Sequence, residues 1–368
     1  MNQSFSRRQV LTLMGSAGSA AVVIACSGSS SPSVPTTTPV ATSTGAAGTP
    51  IATGTAAASA VTPKIVAAAT AFVALLSSEQ KSTGMFAWTN TAQKQKWSNF
   101  PNGIFQRSGL MWGNLSDAQR AAWLDLMRMT LSTEGYGRVL AEWNADQALA
   151  SQGGGGGSMF GTNLYYIALI GEPSATSPWQ WQWGGHHVTV NATIAGTHLA
   201  VTPSFIGVQP ATYRDSAGKS VTPLGDIADD AFALLNALDS TKQSTAIRGS
   251  SVIDLVLGPG QDGKTLAAEG LPGSQMDATQ QAAFLKLIGH YSNLSTDADA
   301  ALRMTQMKAD LASTYFAWFG PKTKAAAYFR VTGPTIVIEY SPQNSTDHVH
   351  GIYRDPTNDY GKKYAAGT

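Results

Sequence analysis

The sequence predicts an α+β fold, with helical pairs packed on antiparallel sheets. Three observations carry this. Amphipathic helical stretches come in neighbouring pairs, alternating aromatic runs follow each pair, and the whole order is met twice along the chain. At 368 residues, with 43% hydrophobic residues, the chain is long enough for a substantial core.

The first residues are read as an address. Ser6-Arg7-Arg8-Gln9-Val10-Leu11 is a twin-arginine pattern, and an apolar run to Ala25 follows it. That run is too short and too rich in Gly and Ser for a transmembrane helix. It ends in Val23-Ile24-Ala25-Cys26, which resembles a bacterial lipobox, and Cys26 is the single cysteine. Residues 1–25 are therefore expected to be a signal peptide and Cys26 a lipidation site; the other reading is a cleaved secretory leader with an incidental cysteine. On the first reading the protein is exported by the twin-arginine route to the cell envelope, periplasmic or otherwise outside the cytoplasm, and partnered with the membrane through its lipid. Residues 26–62 carry no charge and are rich in Ser, Thr, Ala and Pro, the composition of a disordered tether. Residues 63–368 are expected to form one domain.

Charge excludes one class of partner. Two of the 24 basic residues, Arg7 and Arg8, lie in the leader, so 22 face 23 acidic residues in the remainder. No nucleic acid is expected on so balanced a chain.

Within the folded part, Lys64 to Ser77 reads as a helix. A second runs from Ala118 to Leu131, with Trp123, Leu124, Leu126 and Met127 at helical spacing, and a third from Arg138 to Ala150. Gly153–Gly157 lacks the Lys-Ser/Thr of a phosphate loop and reads as a mobile loop. Tyr165–Gly171 and Trp179–Trp183 read as strands, Thr197–Val201 as another, and Pro203–Pro210 as a turn-rich exit. Asp226–Leu238 is the next helix. Asp277-Ala278-Thr279-Gln280-Gln281-Ala282-Ala283-Phe284 then echoes Asp117-Ala118-Gln119-Arg120-Ala121-Ala122-Trp123, and a helix over Asp297–Leu311 and the aromatic run Tyr315–Phe319 follow. The echo predicts two similar halves, about 101–210 and 260–361. Chance similarity between alanine-rich helix starts is the alternative.

Four of the six histidines stand in two clusters at matching places in these halves: His186-His187, and His348 with His350. Residues two apart on a strand share a face, so His348 and His350 suit one metal ion, completed by one or both of His186 and His187. In a regular strand only one of those neighbours could face the site, and Gly184-Gly185 could form a bulge that redirects them. Imidazole ligands fit a transition metal, Zn, Cu or Fe, without choosing among them. Glu339 is a candidate general base or ligand on the strand leading to the histidines. Its alternative is a structural pair with Arg330 or Arg354. Arg354 and Asp359 are candidates to hold an anionic substrate or to lock the C-terminal turn, and Arg107 is a second candidate clamp. Trp181, with Trp179 and Trp183, lines one strand face, either for stacking on a small-molecule ligand or as core. His198 and His290 are isolated and read as structural.

An ordered set of motifs then ties the chain together: Arg107-x-Gly109-Leu110, Gly171-Glu172-Pro173-Ser174, Pro178-Trp179-x-Trp181, His186-His187, Pro203-x-Phe205-x-Gly207, and His348-x-His350 through Arg354-Asp355-Pro356 to Gly361. By this set residues 64–364 resemble the bacterial family called domain of unknown function 3500. The resemblance brings no reaction. The functional expectation is thus a metal-dependent hydrolase or oxidoreductase acting on a small molecule. The alternatives are a non-catalytic metal-binding protein and a metal-free binder of a small anionic or carbohydrate ligand.

Overall fold

A computed structural model describes residues 61–152 and 158–365. The leader, the tether up to residue 60 with Cys26, and the Gly153–Gly157 run lie outside the described residues, and the last expected tether residue, Thr62, opens the first helix. The fold is α+β, with one large mixed sheet carrying helices.

The chain begins with helices α1 (Thr62–Ala74) and α2 (Ser78–Gly84), strand β1 (Met85–Phe86), helix α3 (Thr91–Lys94) and strand β2 (Leu110–Met111). Helices α4 (Asp117–Thr130) and α5 (Thr133–Ser151) follow. They precede β3 (Tyr166–Ile170), β4 (Trp179–Gly184), β5 (Thr189–Ala195), the short β6 (His198–Ala200) and β7 (Ser204–Val208). A small hairpin, β8 (Tyr213–Arg214) and β9 (Ser220–Val221), leads to α6 (Gly225–Ala237), α7 (Ser240–Ala246), β10 (Ile247–Gly249) and β11 (Leu271–Pro272). The chain closes with α8 (Ala278–Ser292), α9 (Asp297–Asp310), β12 (Tyr315–Phe319), β13 (Tyr328–Thr332), β14 (Val337–Pro342), β15 (Val349–Arg354) and the turn of helix α10 (Lys362–Ala365).

The sheet order is β1-β3-β4-β5-β7-β15-β14-β13-β12-β10. Read from either edge, it gives the same sequence of elements. A short parallel strand is followed by an antiparallel meander, and the two sets meet where β7 pairs antiparallel with β15. Local chemistry repeats as well. Ser116 and Asp277 cap α4 and α8 in capping boxes with Gln119 and Gln280. Each glutamine amide also donates to the last turn of the preceding long helix, at the Leu75 and Ala237 carbonyls respectively. The matching elements begin at Thr62 and Gly225, upstream of residues 101 and 260. The run Ser204–Val208 is not an exit loop but one of the two central strands. Pro203 and Pro210 stand outside its ends, so neither removes a ladder hydrogen bond.

The sheet has two different faces. Trp179, Trp181 and Trp183 point toward the helices, where Trp123 of α4 meets Trp181 edge-on at 5.7 Å and Trp143 of α5 meets Trp183 at 5.3 Å. Phe284 of α8 packs on Phe316 of β12 in the later set. The opposite face carries Gln180, Gln182, Asn191, Arg330, Glu339, His350 and Arg354, all buried. Long loops cover these polar groups and satisfy them. Gln182 donates to Asn191 and to the Lys94 carbonyl, and Asn191 donates to the Pro203 carbonyl.

Candidate metal centre

The β4–β5 connection places the first two histidines. It is a tight turn rather than a continuing strand: Gly185 donates its N–H to the Val188 carbonyl, and Val188 donates to the His186 carbonyl. His187 lies in the left-handed region, with φ of 68°, a conformation that non-glycine residues adopt rarely and that clusters at functional sites. With this turn the two rings lie next to each other, their centroids 3.5 Å apart, where a regular strand would have put them on opposite faces. The later pair is set by β15. His350 faces Gly207 of β7 and Ser341 of β14, and His348 precedes the strand on the same side.

His187, His348 and His350 come together. The Nε2 atoms of His187 and His348 are 2.8 Å apart, those of His348 and His350 are 3.0 Å apart, and one coordinating nitrogen from each residue lies within 4.8 Å of the others. A neutral imidazole Nε2 carries either one hydrogen or one lone pair. His348 Nε2 therefore cannot make both short contacts as hydrogen bonds, whereas three lone pairs directed at a shared cation satisfy all three rings. Burial, reinforced by the neighbouring histidines, holds His187 well below the usual imidazole range. Burial, with His186 nearby, lowers His348 to about 3. Both rings are thus in the neutral form that ligates metal at ordinary pH. His187 and His350 are buried, while His348 is half-buried. This cluster could hold a metal ion.

His186 takes another part. Its Nδ1 lies 2.6 Å from Asp146 Oδ1 on α5, and the second Asp146 oxygen accepts from the Gly161 amide. The Tyr165 hydroxyl donates to the His186 carbonyl, and Phe160 packs on its ring. Asp146, His186 and His187 make a second set of potential ligands. Here, however, the His186–Asp146 hydrogen bond already occupies the facing atoms. The His186 and His187 rings also lie 3.5 Å apart at 32°, so their in-plane lone pairs run side by side. Of the two neighbours, His187 joins the cluster of three imidazoles, and His186 is bound to Asp146.

The other expected site residues are committed elsewhere. Glu339 is fully buried and accepts from the Val256 and Leu257 amides at 2.8 and 2.7 Å and from the Tyr328 hydroxyl at 2.6 Å. Both oxygens are used, anchoring the 250–264 loop and Tyr328, and Arg330 pairs with Glu269 rather than with Glu339. Arg354 donates to the Leu257 and Gly258 carbonyls and to Asp262 and Asp359, and Asp359 also accepts from the Asp355 amide. They lock loops rather than hold a substrate. Arg107 donates through one nitrogen to the carbonyls of Ser98, Phe100 and Gly185. Burial lowers its pKa to about 10, which leaves it charged at neutral pH, and it too is a clamp on the chain itself. Trp181 has no exposed surface and its indole N–H donates to Thr130, so it is core and not a stacking platform. His290 binds Asp230, and His198 stacks on Tyr364.

Asp146 is the site residue that motif reading missed. Its signal was present as Glu134, Arg138, Glu142 and Asp146, charged residues every fourth position along one helix. Asn99, whose amide nitrogen is 3.4 Å from His350 Nε2, had no such signal because it comes from a covering loop.

The sequence profile described as protein of unknown function (DUF3500) matches residues 58–362. The chain belongs to this family. The match takes in both halves of the sheet and every histidine of the centre. No curated protein and no solved structure matches the chain.

Proposed function

We propose that this chain binds one divalent transition-metal ion through His187, His348 and His350, and that the ion serves a hydrolase or oxidoreductase reaction on a small molecule. The supporting observation is the convergence of three imidazoles whose short contacts cannot all be hydrogen bonds. Three protein ligands leave a coordination position for water or substrate, and the half-buried His348 is the ligand nearest solvent. A bound metal would supply Lewis acidity or, with copper or iron, redox chemistry. The chain's own contribution is to hold His187 turned toward the ion, with Asp146 and His186 behind it.

A second reading, metal binding without catalysis, is favoured by the full structural employment of Glu339, Arg354 and Arg107. Metal analysis of protein made without a polyhistidine tag separates the readings from a metal-free one. About one equivalent is expected, and His348→Ala or His350→Ala should lose more affinity than the roughly 10–100-fold contributed by outer hydrogen-bond partners. His198→Ala should change nothing. No uptake on titration with Zn, Cu and Fe would remove both metal readings.

We further propose that the twin-arginine leader and Cys26 deliver the protein to the outer side of the membrane. Replacing Arg7 and Arg8 by Lys should leave it in the cytoplasm, and Cys26→Ser should release it from the membrane fraction. Unchanged fractionation of both variants would refute the address.

A further inference from the structure

The covering loop before β2 meets the histidine centre at Asn99, a buried residue tied to two of the three candidate ligands. The His187 amide donates to the Asn99 carbonyl at 3.4 Å, and the Asn99 side-chain nitrogen lies 3.4 Å from His350 Nε2. Its neighbours hold it in place. Arg107 donates through Nη2 to the Ser98 carbonyl at 2.7 Å, the Phe100 carbonyl at 2.6 Å and the Gly185 carbonyl at 2.7 Å. The first two carbonyls flank Asn99, and the third belongs to the turn that carries His187. One guanidinium thus fixes the loop and the turn against each other, with Asn99 between its points of attachment.

We propose that Asn99 donates its side-chain amide to a small anionic oxygen ligand, hydroxide or carboxylate, at the open position of the metal, and that Arg107 is the positioning residue that holds it there.

The inference rests on the metal reading of His187, His348 and His350. A lone pair given to an ion no longer accepts a hydrogen bond, so once His350 Nε2 ligates, the Asn99 N–H beside it needs another acceptor. The Asn99 side chain has no other hydrogen bond among the described residues. A buried amide left without an acceptor is costly, and an ion about 2 Å from His350 Nε2 brings its own outer ligand to the same place. Charge then selects the ligand. Ligating histidines contribute no negative charge to a divalent ion. Asp146, the carboxylate of the neighbouring set, is committed to His186 and to the Gly161 amide. With a donor beside the ion, an anionic oxygen satisfies both the ion and the amide, and a hydrogen bond to a charged acceptor is the stronger kind.

The copper-loaded full chain titrated with azide, followed by the azide-to-copper absorption band and with acetate as competitor, tests this. Asn99→Ala should still take up about one equivalent of copper. It should bind azide and acetate about tenfold more weakly. Asn99→Asp, of the same size but negatively charged, should bind them more weakly still. Arg107→Met should reproduce the weakening seen in Asn99→Ala with copper retained; should it fail to fold, the Asn99 variants decide. Native azide and acetate affinities in copper-loaded Asn99→Ala overturn the inference and leave the metal reading standing, whereas a native chain that takes up no copper overturns both. Copper held more tightly by Asn99→Asp and more loosely by Asn99→Ala would make Asn99 a fourth ligand, which also overturns the inference.

Discussion

Trp181 shows how a single residue can be read correctly in pattern and wrongly in place. Its alternation with Gln180 and Gln182 puts it on one face of a strand, but alternation does not say which face meets helices. In the structure it is locked between Trp123 and Thr130. Trp181→Ala should therefore cost about 3–5 kcal/mol in urea unfolding and leave metal stoichiometry unchanged. A loss of metal or ligand binding in a still-folded variant would contradict a core role. His187 is the opposite case. Its membership of the site was legible from the clustering of histidines. The choice between it and His186 was not, because it depends on one backbone angle of 68° that no side-chain pattern encodes.

At the scale of elements, strands and helices were largely legible because their periodicities are set by burial of one face. What resisted reading was the cover over the second face of the sheet. From the sequence, Glu339 and Arg354 could each be site chemistry or a structural partner. They are consumed because the loop 250–264 lays backbone amides and carbonyls directly over them. Such a loop has no period, so its contacts leave no mark in the sequence. Ser204–Val208 was lost for a related reason, since flanking prolines resemble a turn when the strand between them is only five residues long. Replacing Glu339 by Leu leaves the Val256 and Leu257 amides without their acceptor. Amide exchange across 250–264 should then accelerate well beyond that of β14, with overall destabilisation of several kcal/mol, on the order of 3. Equal protection in the variant would show that the loop is held by other contacts.

For the whole molecule, the twofold order of elements makes predictions about pairs of distant residues. Gly109 and Gly270 precede β2 and β11 with φ of 105° and 99°, and a Cβ at either would stand 2.1 Å from the Ile167 carbonyl oxygen or 2.2 Å from that of Phe316. Both Ala substitutions should destabilise by about 3 kcal/mol or more, and to similar extents. Thermal unfolding that separates the two variants widely would mean that the halves bear unequal load. The halves are not equal at the centre itself. The turn from β13 to β14 carries Thr335, which binds Asp310 and Arg303, and no histidine.

The pairing of β7 with β15 also fixes when the centre can come into being during synthesis. His187 is translated 161 residues before His348, and β15 is the last strand made. Until it emerges from the ribosome, β7 presents an unpaired edge and the nascent first half holds one of the three candidate ligands. A metal ion shared by all three histidines would thus have to wait until β15 has been made.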